Sequence, residues 1–186
     1  KSHSKNLDYK NILAINYVAN KKFNMATKVL EEILLSNPKH FDANLNLGII
    51  YEEVRNYSKA ENFLKKALKI IPNNIRANMS IAKVYDNTER LEEARILYNK
   101  MLKIEPDNME ILLNCTTNLI KLKLFTKARN FLKKIINKEP KVFAAWSNLG
   151  KICEEEKKYL EAIKYFKKAV DINPNFATGY FNIGIV

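Results

Sequence analysis

Apolar residues recur along this chain at helical spacing, in paired runs separated by short polar breaks. In the stretch 143–176, Trp146, Leu149, Gly150 and Cys153 fall on one face of a first helix. Ala162, Phe166 and Ala169 fall on one face of a second. The same pairing repeats with a 34-residue period. All five prolines, Pro38, Pro72, Pro106, Pro140 and Pro174, stand on that lattice. Twelve residues ahead of each stands an alanine, at Ala26, Ala60, Ala94, Ala128 and Ala162. Fifteen ahead is an aromatic or a leucine, at Phe23, Tyr57, Leu91, Phe125 and Tyr159. Self-similarity of this kind takes precedence over any other organisation of the chain. It predicts an all-α protein: a flank over 1–6, units at 7–40, 41–74, 75–108, 109–142 and 143–176, and a partial unit at 177–186. Each full unit holds a helix A over its first fourteen residues and a helix B from its eighteenth to its thirty-first, so eleven helices are expected.

The recurring residue types have physical jobs. Where A and B of one unit cross, the backbones approach closely and small residues are needed. They stand at Ala14, Gly48, Ala82, Thr116, Gly150 and Gly184 on A, expected to face the five alanines on B. Tyr17, Tyr51, Tyr85, Tyr98 and Phe166 are expected to fill the spaces between units. Proline lacks an N–H and disfavours helix at the preceding residue, so B stops there and the next A turns back.

The strings "WSNLGKIC…AIKYF…P" and "NLNLGIIY…AENFL…P" resemble the tetratricopeptide repeat family, whose pattern is a W-x₂-L-G-x₂-Y run, then A-x₃-F, then P. The resemblance covers Leu7 to Val186. The fourth unit departs most, with Leu112, Cys115, Thr116 and Leu119 at the first four pattern positions, while Ala128, Leu132 and Pro140 hold. The resemblance implies a right-handed superhelical solenoid of antiparallel helix pairs, with A helices lining a concave groove and B helices outside. The chain opens on Lys1 and closes on a helix A without its partner B, so it is expected to be cut from a longer protein.

On the implied groove, the sixth position of successive units carries Ile12, Asn46, Ser80, Asn114, Asn148 and Asn182. A carboxamide both donates and accepts, so stacked asparagines can grip a peptide backbone whatever its side chains. The row looks like the asparagine ladder in the repeat arm of O-linked N-acetylglucosamine transferases. Arg76, Lys83 and Lys151 join Asn46, Asn114, Asn148 and Asn182 as the expected partner-binding set. Glu52, Glu53, Asp86, Glu154 and Glu155 make the groove mixed to acidic. Chaperone-binding members of the family clamp a C-terminal carboxylate with five Lys, Asn and Arg residues. Here the corresponding positions are Asn11, Ile15, Asn46, Arg76 and Ser80, of which only Asn46 and Arg76 would serve.

Charge changes the picture little. The net charge is +12, but only five of the 32 basic residues are arginines, the side chain best suited to bidentate phosphate or base recognition. The excess is expected on B, at Lys65, Lys66, Lys69, Lys100, Lys103, Lys133, Lys134, Lys167 and Lys168. Cys115 and Cys153 lie in apolar runs without metal or redox spacing, which points to a reducing compartment, cytoplasmic or nuclear. The sequons at Asn56, Asn78 and Asn114 read as accidents of composition. The two histidines, His3 and His40, join no catalytic pattern, and no phosphate loop, nucleophile elbow or metal motif occurs.

The expectation is therefore a non-enzymatic protein-interaction scaffold, with no cofactor and no metal, that holds a peptide or partner helix in its groove. Self-association is an open second kind of partner. One alternative makes the chain the substrate-selecting arm of a larger enzyme such as a glycosyltransferase. Another has the lysine-rich outer face bind RNA or an acidic partner, with nucleic acid disfavoured. No apolar run is long enough for a membrane span.

Overall fold

The computed structural model describes residues 2–185, with side chains from Tyr9 onward, so His3 lies outside the described side chains. Among the described residues the chain forms eleven helices and no strand. These are α1 (Ser2–Ala19), α2 (Phe23–Ser36), α3 (Phe41–Glu53), α4 (Tyr57–Ile70), α5 (Ile75–Asn87), α6 (Leu91–Ile104), α7 (Met109–Lys121), α8 (Phe125–Lys138), α9 (Phe143–Glu155), α10 (Tyr159–Ile172) and α11 (Ala177–Ile185). Odd-numbered helices correspond to A and even-numbered ones to B. α1 reaches back to Ser2, so the stretch ahead of Leu7 is itself helical.

The chain divides into two compact units, one up to Leu97 and one from Tyr98. In the first unit α1 packs on α2, α3 on α4, and the A helices α1, α3 and α5 touch in succession. Its core gathers Ala14, Ala26, Leu30, Ile33, Ala43, Leu47 and Ile50, all buried. In the second unit α7 packs on α8 and on α9, and α9 packs on α10. There Cys153, Ala162 and Phe166 are buried together, with Tyr165 and Ile183 against them. In both units neighbouring A helices meet more closely than neighbouring B helices do.

The alanines of the lattice are fully buried at Ala26, Ala60, Ala94, Ala128 and Ala162. The crossing differs from the expected small-on-small contact in one respect. A Cβ placed on Gly48 would first meet Leu64 at 2.5 Å, and one on Gly150 would first meet the Phe166 ring at 2.5 Å. The residue that presses on each glycine is thus the large side chain one turn after the alanine. The small residue makes room for bulk, not for another small residue. Gly184 is different, because nothing lies within 4 Å of a Cβ there.

Two turn types alternate. From B to A, the residue before each proline is extended, as at Asn37 (φ −143°), Ile71 (φ −129°), Glu139 (φ −138°) and Asn173 (φ −130°). Asn74 and Asn108 then cap the next helix, accepting from the backbone N–H of Ala77 at 2.9 Å and Ile111 at 3.2 Å. His40 does the same through Nδ1 for Ala43 at 3.2 Å, which gives that histidine a structural task. From A to B, the chain passes through the left-handed region at Lys21, Arg55, Glu89, Lys123 and Lys157, with φ between 54° and 60°. The following N–H reaches back across the corner, as Asn56 does to the Tyr51 carbonyl at 2.8 Å and Lys158 to the Cys153 carbonyl at 2.7 Å. This backbone closure satisfies the last carbonyls of A without any glycine.

The B-to-A turns carry a second lock. Asn44 donates from Nδ2 to the carbonyls of Pro38 (3.1 Å) and His40 (2.9 Å), and Asn78 repeats this on Pro72 (3.0 Å) and Asn74 (2.8 Å). Asn78 is only 3% exposed, so its sequon amide is committed to the fold. At the same register Trp146 uses its indole N–H on the Pro140 carbonyl at 2.8 Å.

Candidate functional site on the A-helix faces

Within a unit neighbouring A helices touch, so the sixth position of α3, α5 and α9 faces the A helix before it. In the first unit Asn46, 7% exposed, points its Nδ2 at Asn11 Oδ1, 3.4 Å away. Ser80 on α5 is equally buried and hydrogen-bonds Glu52 on α3, which also faces Lys83. Burial pushes the Glu52 carboxyl above its ordinary range, and Lys83 and the Ser80 hydroxyl only partly offset this. Lys83 is half-buried and faces Glu52, with Glu53 also acting on that carboxyl. Arg76 lies exposed in the first turn of α5.

In the second unit Asn114 is half-buried and turns its amide onto the Glu110 carbonyl of its own helix, at 3.0 Å. Asn148 on α9 is 7% exposed, and its Nδ2 has only a long 3.5 Å contact with Thr117 Oγ1 on α7. Asn182 on α11 is also 7% exposed, and its Nδ2 has no hydrogen-bond partner among the described residues. Lys151 lies half-buried one turn from Asn148. The expected set therefore separates. Asn46 and Asn148 each make one long contact with the A helix before them, Asn114 folds onto its own helix, and Asn182 leaves its Nδ2 unmet, so that in the second unit Asn148 with Asn182 keeps donor capacity at low exposure. A buried amide with an unmet donor is costly unless a ligand or water completes it, which makes these two the chemically notable members.

The B helices do expose all nine lysines named above. Several are already engaged. Lys65 pairs with Glu61 at 2.7 Å, Lys134 with Asp107 at 2.6 Å and the Pro106 carbonyl at 2.9 Å, and Lys66 and Lys168 lie over aromatic rings. The outer charge is thus partly spent on the protein itself.

Helical spacing alone pairs Glu61 with Lys65, four residues on. The fold adds Arg90, which reaches Glu61 Oε2 at 2.7 Å, holds Glu93 at 2.6 Å and lies 4.0 Å over the Tyr85 ring. Burial alone would raise the Glu61 carboxyl, but hydrogen bonds from Lys65 and Arg90 bring it below its ordinary range. Arg90 stands 29 residues from Glu61, and no spacing rule signals such a contact.

Cys115 and Cys153 are buried thiols, and burial raises the Cys153 thiol despite Arg129 nearby. Among the described residues no three His, Cys, Asp or Glu side chains gather as a metal-binding group, and no helix is long and apolar enough to cross a membrane.

Comparison with known proteins agrees with this geometry. No curated protein matches the chain in sequence. Among solved structures, PilW, described as a widely conserved type IV pilus biogenesis factor, superposes with a TM-score of 0.81 at 23% identity, over 96% of this chain and 86% of that one. YrrB, described as a tetratricopeptide repeat protein with an unusual peptide-binding site, gives 0.77 at 15% identity over 97% of each chain. A MamA structure gives 0.77 at 18% identity, over 94% of this chain and 96% of that one. At these identities the likeness is one of fold. Models described as tetratricopeptide repeats match residues 143–176 and, in overlapping windows, 17–84, 53–103 and 88–152. With matches running from residue 17 to 176 and the helix-pair architecture behind them, the chain belongs to the tetratricopeptide repeat family.

Proposed function

We propose that the protein is a non-catalytic interaction module whose A-helix faces hold an extended peptide of another protein. The observation that carries this reading is the pair of carboxamides on α9 and α11. Asn148 has only a long contact and Asn182 an unspent Nδ2, at a depth where an unmet donor is unfavourable. A peptide carbonyl docking there completes both, and Lys151 beside them favours an acidic residue on the same peptide. Peptide binding by YrrB, which shares the fold, is in keeping with this use. Among the described residues no three His, Cys, Asp or Glu side chains gather as a metal group, and the amides and charges on the A faces suit recognition.

The test is a peptide selected from a random display library on the intact protein, with affinity read by fluorescence anisotropy. Asn148→Ala with Asn182→Ala is expected to weaken it by about tenfold, the worth of one good hydrogen bond lost from each side. The circular-dichroism melt should stay nearly unchanged. Unaltered affinity, or a cooperative loss of fold in the double variant, overturns the assignment.

A further inference from the structure

One seat recurs at the outer edge of the B-to-A turns, and its occupant changes. Between α8 and α10 the seat is filled by Trp146. Its N–H is on the Pro140 carbonyl at 2.8 Å, its ring stacks on Tyr165 with centroids 6.1 Å apart, and Lys168 Nζ lies 3.8 Å over it. Between α2 and α4 the same three register positions are Pro38, Phe63 and Lys66. Asn44 stands where Trp146 would, and its short side chain satisfies the turn but leaves the indole volume unfilled. A cleft of about 440 Å³ opens there, lined by Glu31, Leu34, Leu35, Pro38, Asn44, Phe63 and Lys66. That is within the size range of ligand pockets, about 300–1,000 Å³.

Two further features point to an occupant. Leu35 is 84% exposed, while the equivalent positions of the later repeats are Lys69, Lys103, Asn137 and Asp171. A leucine that covers no core, at the edge of an apolar cleft, is an unmet contact. Lys66 already lies 4.9 Å over the Phe63 ring, so a cation is poised beside any second aromatic that enters.

We propose that this cleft receives a tryptophan side chain from a peptide segment of another protein, seated as Trp146 is seated in the chain's own second unit. The indole packs on the side of Phe63 that Tyr51, stacked on that ring at 5.6 Å, leaves open, lies beside Lys66 and rests against Leu34 and Leu35. Leucine would fill the space without a ring for Lys66 to lie against, and tryptophan is the strongest cation–π partner of the aromatic side chains. The site lies wholly in the first unit and shares no residue with the Asn148–Asn182 face, so each reading can fail without the other.

The probe is N-acetyl-tryptophanamide, titrated into the intact protein labelled at leucine methyls and followed by NMR. Saturable shifts are expected at Leu34 and Leu35, with N-acetyl-leucinamide binding about tenfold more weakly. Leu35→Lys, at an exposed position, should melt like the parent and bind the probe about tenfold more weakly. Asn44→Trp should plug the cleft with the protein's own indole and abolish the shifts. If that variant does not fold, Leu35→Lys alone decides. Absence of saturable shifts, equal binding of the two probes, or unchanged binding in Leu35→Lys overturns the proposal.

Discussion

Adding one methyl group to each of three glycines separates crossing geometry from helix propensity. Glycine to alanine inside a helix gains about 1 kcal/mol from backbone entropy. Against that stands whatever the new Cβ meets. At Gly150 it would lie 2.5, 2.6 and 2.9 Å from three atoms of the Phe166 ring, which is fully buried and has no free side to move toward. Overpacking of that kind costs about 1–3 kcal/mol and here falls at the upper end, so Gly150→Ala should lose about 1–2 kcal/mol net. At Gly48 the neighbours are Leu64 side-chain atoms at 2.5 and 2.7 Å and its backbone N at 3.3 Å. A net loss of about 1 kcal/mol is expected there. At Gly184 nothing lies within 4 Å, but the site is in the last turn of α11, so only part of the propensity gain survives, about 0.5 kcal/mol. Thermal melts followed by circular dichroism read the difference, at about 2–4 °C per kcal/mol for a chain of this size. Phe166→Leu combined with Gly150→Ala should recover part of the loss, a coupling on the order of 0.5–3 kcal/mol. A Gly150→Ala protein melting at or above the parent, or a Gly184→Ala protein destabilised as much as Gly150→Ala, would refute the packing argument.

Ala128→Leu adds three carbons at a fully buried site on α8 and should cost about 1–3 kcal/mol, seen as a lower urea midpoint at unchanged slope. Lys123 holds φ 59°, and Lys123→Gly relieves the left-handed strain at some entropic cost. A net gain on the order of 0.5 kcal/mol is expected, and a lower melting temperature would contradict it. Glu61 has its carboxyl lowered in the folded state, so its contribution is complete above its ordinary value of 4.5 and is lost as pH falls through the lowered folded value. Glu61→Gln should therefore flatten the acid limb of the stability–pH curve, and an identical acid limb would remove the Arg90–Glu61–Lys65 cluster from the account.

The architecture was legible because its determinants are local and repeated. Proline fixes its own φ and extends its predecessor, so Pro38 through Pro174 mark every B-to-A turn regardless of what surrounds them. The A-to-B corners were not legible. Lys21, Arg55, Glu89, Lys123 and Lys157 carry no glycine or asparagine signal, and their left-handed φ is imposed by the packing of the two helices they join. The lock on the proline carbonyl left a trace that spacing alone contains, since Asn44, Asn78 and Trp146 each stand six residues after a proline. Chemically unlike residues sharing one register hid it. On the A faces, position predicted where Asn46, Asn114, Asn148 and Asn182 would sit. Which of them keep a spare donor depends on neighbours such as Asn11 and Thr117, at separations no periodicity encodes.

Within each unit the A helices press together while the B helices stand further apart, and this has a mechanical corollary. Close-packed apolar contacts resist deformation, whereas an open cleft closes or widens with little loss of buried surface. A pull or squeeze on either unit is therefore absorbed first at the rim, with the inner helices serving as the pivot. Each unit behaves as a leaf spring, stiff where its A helices meet and yielding between its B helices.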